Sequence, residues 1–150
     1  MLDVWNRHDR LSVIGALALS PSRRRVGCYF HVQPQNIVTP DVVGFVRQLH
    51  RQLRRPITLI WDRWPVHRSA ERLLSAKYDD WLRVEYLPGY APDLNPVEGL
   101  WGHTKRVPLG NFAAHDIHDL DDAVNEALCD LHDTPRLLWS CFELAQLDTS

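Results

Sequence analysis

Ile57-Thr-Leu-Ile-Trp-Asp-Arg-Trp-Pro-Val-His-Arg-Ser69 opens on an almost wholly apolar run and breaks at Asp62 and Pro65. A short apolar run bounded by turn residues reads as a strand covered on both faces, so Ile57 to Trp61 is predicted to lie mid-sheet. Residues 68–80 are rich in helix formers, with Ala70, Leu73, Leu74 and Lys77 on one stripe, and Leu82-Arg-Val-Glu-Tyr-Leu87 reads as the next strand. A strand-helix-strand run of this kind predicts an α/β sheet containing at least one parallel pair.

Upstream, Leu11 to Leu19 and Val26 to Gln33 are rich in β-formers and are joined by the turn-prone Ser20-Pro21-Ser22-Arg23, which predicts a β-hairpin. Thr39 then offers an N-cap, Pro40 the first helical position and Asp41 an early acid. Val42, Phe45, Val46, Leu49 and Leu53 follow at helical spacing until Pro56. Downstream, Ile117, Leu120, Val124, Leu128 and Leu131 form one helical stripe. Thr134-Pro135 caps a last helix carrying Leu138, Cys141, Phe142 and Ala145.

A length of 150 residues with 45% hydrophobic content suits a single domain, 1–150, with its own core. The longest apolar run, Leu11 to Leu19, is far short of the roughly 18 residues that span a bilayer, and the first ten residues carry acids where a signal peptide needs a basic stretch. The protein is therefore expected in the cytoplasm. Cys28, Cys129 and Cys141 form no close pair and are read as buried small hydrophobes. Cys129 with His132, and His115 with His118, have metal-ligand spacing, but no second pair completes a zinc site. The net charge of -2 conceals an asymmetry. Residues 1–56 hold nine Arg/Lys against three Asp/Glu, residues 57–110 seven of each, and residues 111–150 one against nine. The basic first third, including Arg23-Arg24-Arg25 and Arg54-Arg55, suits a polyanion, or is simply a solvated charged surface.

Two acids stand where chemistry gathers in an α/β sheet. Asp62 directly follows the Ile57 strand, at a carboxyl end where loops converge, although Asp before a Pro-containing turn also terminates strands. Glu98 lies in Leu87-Pro-Gly-Tyr-Ala-Pro-Asp-Leu-Asn-Pro-Val-Glu-Gly-Leu-Trp101, which leaves the following strand and opens a helix at Pro96. Asn95 is a natural N-cap and Glu98 falls where a capping-box acid reaches back; alternatively, Glu98 and Asp62 hold a divalent cation together. Spacing alone leaves both readings open. His67 orients a carboxylate, a water or a phosphate, or else begins a helix as a partly exposed residue. Trp61, Trp64, Trp81 and Trp101 stack on bases or serve as core, and Asp93 is a turn residue on its own evidence.

Taken together, these two stretches resemble the second and third catalytic blocks of the Tc/mariner superfamily of DDE transposases, particularly its bacterial insertion-sequence branch. The run Tyr-Ala-Pro-Asp-Leu-Asn-Pro-Val-Glu is the more specific, and the thirty-five residues between Asp62 and Glu98 are similar to the family's separation. The resemblance implies an RNase H-like, retroviral-integrase-like mixed sheet flanked by helices, from about residue 8 onward. It also implies a two-metal site, magnesium or manganese, in which three carboxylates position cations roughly 3.5–4 Å apart for in-line attack on a DNA phosphodiester. Asp62 and Glu98 match the second and third carboxylates, while His67 and Asn95 would support them from behind. Arg63 stands where the family often has asparagine.

The family's first Asp lies on a central strand before the hairpin, and here only Met1 to Asp9 precede it. The sheet is accordingly expected to lack that first strand, with Asp3 and Asp9 as the nearby acids. One reading is a truncated or split transposase, inactive alone, whose upstream segment is encoded separately or lost. Another is a non-catalytic DNA-binding or dimer-forming remnant that modulates a full-length transposase. A third is a self-sufficient metal nuclease using Asp3 or Asp9. All three have DNA, as terminal inverted repeats or target, for a partner; a homodimer is a further expectation.

Overall fold

The computed structural model describes residues 11–89, 94–98, 122, 125, 126, 128–130 and 132–144, and the chain divides into two compact units. The first unit is Met1–Asn36 with Pro96–Ser150 and the second is Ile37–Asn95.

In the first unit, β1 (Ser12–Leu19) and β2 (Val26–Gln33) form the antiparallel hairpin read from the sequence, paired from Ser12 opposite Gln33 to Leu19 opposite Val26. Their β-formers alternate across the pleat, so Val13, Leu17, Val26, Cys28, Phe30 and Val32 share one face. That face meets helix α3 (Pro135–Leu144) and Leu128, and the core there is Cys28, Leu128, Leu138 and Cys141. The imidazole of His132 donates from Nδ1 to the carbonyl of Cys28 at 2.8 Å, which binds the helical residues preceding α3 to the middle of β2. At the hairpin tip Ser20 does the work expected of a turn serine. Its Oγ accepts from the backbone of Arg24 and Arg25, and Arg23 takes a positive φ of 57°.

The second unit contains α1 (Thr39–Leu53), β3 (Ile57–Trp61), α2 (Pro65–Tyr78) and β4 (Leu82–Tyr86). β3 and β4 run parallel with α2 as their crossover, as the alternation of patterns predicts. Helix α1 buries Val42, Val46 and Leu49, and α2 buries Ala70 and Leu74, each a stripe at helical spacing, and the two helices pack on one another. His50 of α1 stacks on Trp81 with 3.8 Å between ring centroids, and Arg47 lies 5.6 Å over the ring of Tyr78.

Several details differ from the sequence-based expectation. Val38, not Thr39, caps α1, because the carboxylate that closes the first turn belongs to Asp41, whose Oδ2 accepts the Val38 N–H at 2.9 Å. Helix α2 starts at Pro65 rather than at residue 68, since proline fits the first helical position and the turn at Asp62 is over by Trp64. On α2 the buried stripe is narrower than expected: Leu73 is 55% exposed and Lys77 is exposed. The Ile57 run is not covered on both faces, for Thr58 and Ile60 are exposed and Ile60 reaches 57%. Among the described residues β3 pairs with β4 alone, and the sheet face that carries Thr58 and Ile60 beside Arg83 and Glu85 is exposed. The alternating pattern of a half-covered strand was hidden because Ile60 is apolar although exposed. Cys129 is exposed, unlike Cys28 and Cys141. Ile117, Leu120, Val124, Leu131 and Ala145 lie outside the described residues.

Candidate active site

The carboxyl ends of two parallel strands stand side by side where Trp61 pairs with Tyr86, and the ladder extends one step further as Leu87 donates its N–H to the Trp61 carbonyl at 2.8 Å. Asp62 is the first residue beyond β3, so the rigid ladder fixes where its backbone emerges. Its side chain then folds over the entry of α2. Oδ1 accepts the backbone N–H of Trp64 at 3.0 Å and the Nδ1–H of His67 at 2.8 Å. His67 sits in the first turn of α2, its own N–H bonded to the Trp64 carbonyl at 2.9 Å, and its Nδ1 also lies 3.3 Å from the Asp62 carbonyl. Because Nδ1 faces a carboxylate, it is the donor of this bond, and the Asp62 contact uses that side of the ring alone.

The plane of that imidazole is set by aromatics. Trp61, 7% exposed, stacks on it at 4.5 Å with 3° between planes, and Trp64 meets it edge-on at 5.2 Å and 85°. Asp62 thus has one oxygen held by two donors, while Oδ2 has no partner among the described residues and the side chain is 54% exposed. Arg63 donates from Nε to the Leu87 carbonyl at 3.4 Å, tying the loop after β3 to the end of β4.

Beneath the site, Tyr86 donates its hydroxyl to the carboxylate of Glu71 on α2. Burial, and then Glu71, push the Tyr86 phenol above its ordinary value, with the positive charge of Arg68 opposing. Among the described residues, Trp61 Nε1 is buried with no acceptor in hydrogen-bonding geometry. These supports were missed in reading the sequence, yet two signals mark them. His67 and Glu71 are four apart on one helix, hence on one face, and Trp61 and Tyr86 occupy matched positions in consecutive parallel strands.

The structure brings Asp62 and His67 together. Asn95 is half-buried and directly precedes the helical residues Pro96, Val97 and Glu98, with Glu98 exposed in its first turn. The boundary between the two compact units falls between Asn95 and Pro96, so Asp62, His67 and Asn95 belong to one and Glu98 to the other. Trp81 is half-buried, whereas Trp64 is 43% exposed. Asp3, Asp9, Asp93, Trp101, His115 and His118 lie outside the described residues, and among the described residues no three His, Cys, Asp or Glu side chains cluster as metal ligands. Among the same residues no helix is long and apolar enough to cross a membrane.

No curated protein matches the chain. The family model for the DDE superfamily endonuclease matches residues 2–121, which include the Asp62 loop, Asn95 and Glu98. With that match spanning most of its length, the chain belongs to the DDE superfamily endonuclease family.

Proposed function

We propose that this chain is the catalytic domain of a Tc/mariner-type transposase of the insertion-sequence branch, an RNase H-like unit that cleaves and transfers DNA strands. The observation that carries the reading is the Asp62 carboxylate at the end of β3, with Oδ1 fixed by Trp64 and His67 and Oδ2 open. A hard divalent cation takes oxygen ligands, and an exposed carboxylate oxygen on a rigid strand end suits one. Asp62 and Glu98 would hold magnesium or manganese, His67 would keep Asp62 in its rotamer, and Asn95 would cap the helix that carries Glu98. When bound, the metals supply activation of the attacking oxygen and neutralise the leaving one. The chain's own task is to hold the carboxylates still and admit the phosphodiester. Asp3 and Asp9 are the candidates for a third carboxylate.

The test is cleavage of DNA carrying the element's terminal inverted repeats, with magnesium or manganese, by this chain alone and with an added upstream segment. Metal-dependent nicking that Asp62→Asn and Glu98→Gln each abolish supports the assignment. Nicking that survives Asp62→Asn removes it. Activity seen only with the added segment would place the third carboxylate there rather than at Asp3 or Asp9.

A further inference from the structure

Trp64 combines exposure with fixed geometry in a way that the metal site does not require. Its backbone N–H is bonded to Asp62 Oδ1, its indole is braced edge-on against His67, and yet 43% of the residue is exposed. Trp has only two side-chain torsions, so a braced indole loses little further freedom on contact with a ligand. The residues around it are cationic. Arg63 precedes it and Arg68 follows one helical turn later; both are exposed, and neither meets a carboxylate among the described residues. Helix α2 also begins here, and its fourteen residues point their amino-terminal dipole at the same surface.

An exposed aromatic side chain two residues from the carboxylate read as catalytic, with an exposed arginine on either side of it along the chain, suits a nucleic-acid strand whose base is not stacked within a duplex. The geometry points to Trp64 as the platform for one unpaired base next to the phosphate attacked at Asp62, with Arg63 and Arg68 holding the phosphates on either side. This rests on the DNA-processing reading of the site and adds to it a substrate class: a locally unpaired strand. Bases inside a duplex offer no free face, so the site selects for fraying or extrusion of the flanking base.

Binding without metal separates this idea from the chemistry. Fluorescence anisotropy would be read with the full chain, a labelled mixed-sequence single-stranded 20-mer, and the corresponding blunt duplex. Trp64→Ala is expected to weaken single-strand binding about tenfold or more, as loss of one stacking side chain does, and to leave duplex binding within about twofold. Trp64→Phe should retain most single-strand affinity, and unchanged circular dichroism would show that α2 is still formed. Equal losses on both DNAs, or no loss on the single strand, would overturn the platform. So would a Phe variant as weak as Ala. If Trp64→Ala leaves binding intact while Asp62→Asn still abolishes metal-dependent nicking, the platform fails and the endonuclease reading stands. If the wild-type chain binds neither DNA, the platform fails and the endonuclease reading loses its substrate.

Discussion

Asp62 illustrates how one side chain answers two demands. Its Oδ1 closes the turn into α2 through the Trp64 N–H, which is the structural role that a strand-ending Asp suggests, and the same oxygen receives His67. The turn and the site are therefore one arrangement, and the sequence could not separate them because both need Asp at this position. His67 was legible in the sequence as one that could orient a carboxylate, but the choice between that role and a partly exposed helix start waited on its ring, since a histidine in the first turn of a helix has no orientation until the ring beneath it is known. Partners of this kind typically change metal affinity by about 10–100-fold when removed. His67→Ala is accordingly expected to weaken Mn2+ binding by about that factor, and His67→Asn, whose amide can still donate, to recover part of it, as read by electron paramagnetic resonance titration. Trp61 gives a second prediction. Among the described residues its Nε1–H is buried without an acceptor, a burden of about 1–3 kcal/mol that a phenyl ring does not carry. Trp61→Phe should therefore change stability by less than about 1 kcal/mol, whereas Trp61→Ala should cost about 3–5 kcal/mol through its cavity. Chemical denaturation measures both.

Among the elements, those written by periodicity emerged where expected: the hairpin, α1, β4 and α3 all follow patterns of two or 3.6 residues. Boundaries and faces were less legible. The start of α1 depends on which backbone N–H the Asp41 carboxylate reaches, and propensity favours Thr39 over Val38 although Val38 is the residue reached. Asp41→Ala removes that bond and the acid near the helix dipole, and is expected to cost about 0.5–2 kcal/mol in thermal or urea unfolding. At the other end of α1, Arg54 adopts φ 54° and ψ 35° with its N–H bonded to the His50 carbonyl, a conformation that favours glycine. Arg54→Gly relieves the Cβ crowding there, worth roughly 1–2 kcal/mol, but frees the unfolded chain, so a small net stabilisation of up to about 1 kcal/mol is expected. Loss of stability in that variant would show that the Arg54 side chain contributes more than its backbone costs.

For the whole molecule, length bounds how much core can exist but not how it is partitioned. The division at Ile37 and again after Asn95 follows from which elements pack together, and strand patterns alone carry no such information. The hairpin unit shows this best, because its core joins Cys28 to Cys141 across most of the chain. Sequence spacing could mark both as apolar but not as neighbours. Their proximity makes the thiols reporters of that long-range closure. Burial first, and then the neighbouring Cys141, push the Cys28 thiol from its ordinary 9.0 to about 11, and burial also pushes Cys141 up. The folded state thus favours the neutral thiols. Their contribution is fully present below about pH 9, where folded and unfolded chains are both protonated. As pH rises from 9 towards 11 the unfolded chain loses these protons first, so folding stability must fall through that window. Urea midpoints measured at pH 8, 9.5 and 10.5 should decline, and Cys28→Ala with Cys141→Ala should flatten the decline while lowering stability at pH 8. At pH 8 the exposed Cys129 should be alkylated well before Cys28 or Cys141, read by peptide mass spectrometry. Simultaneous labelling of all three would mean that the hairpin and α3 open together on the timescale of the reagent, and that the core joining residues 28 and 141 is the weakest part of the fold.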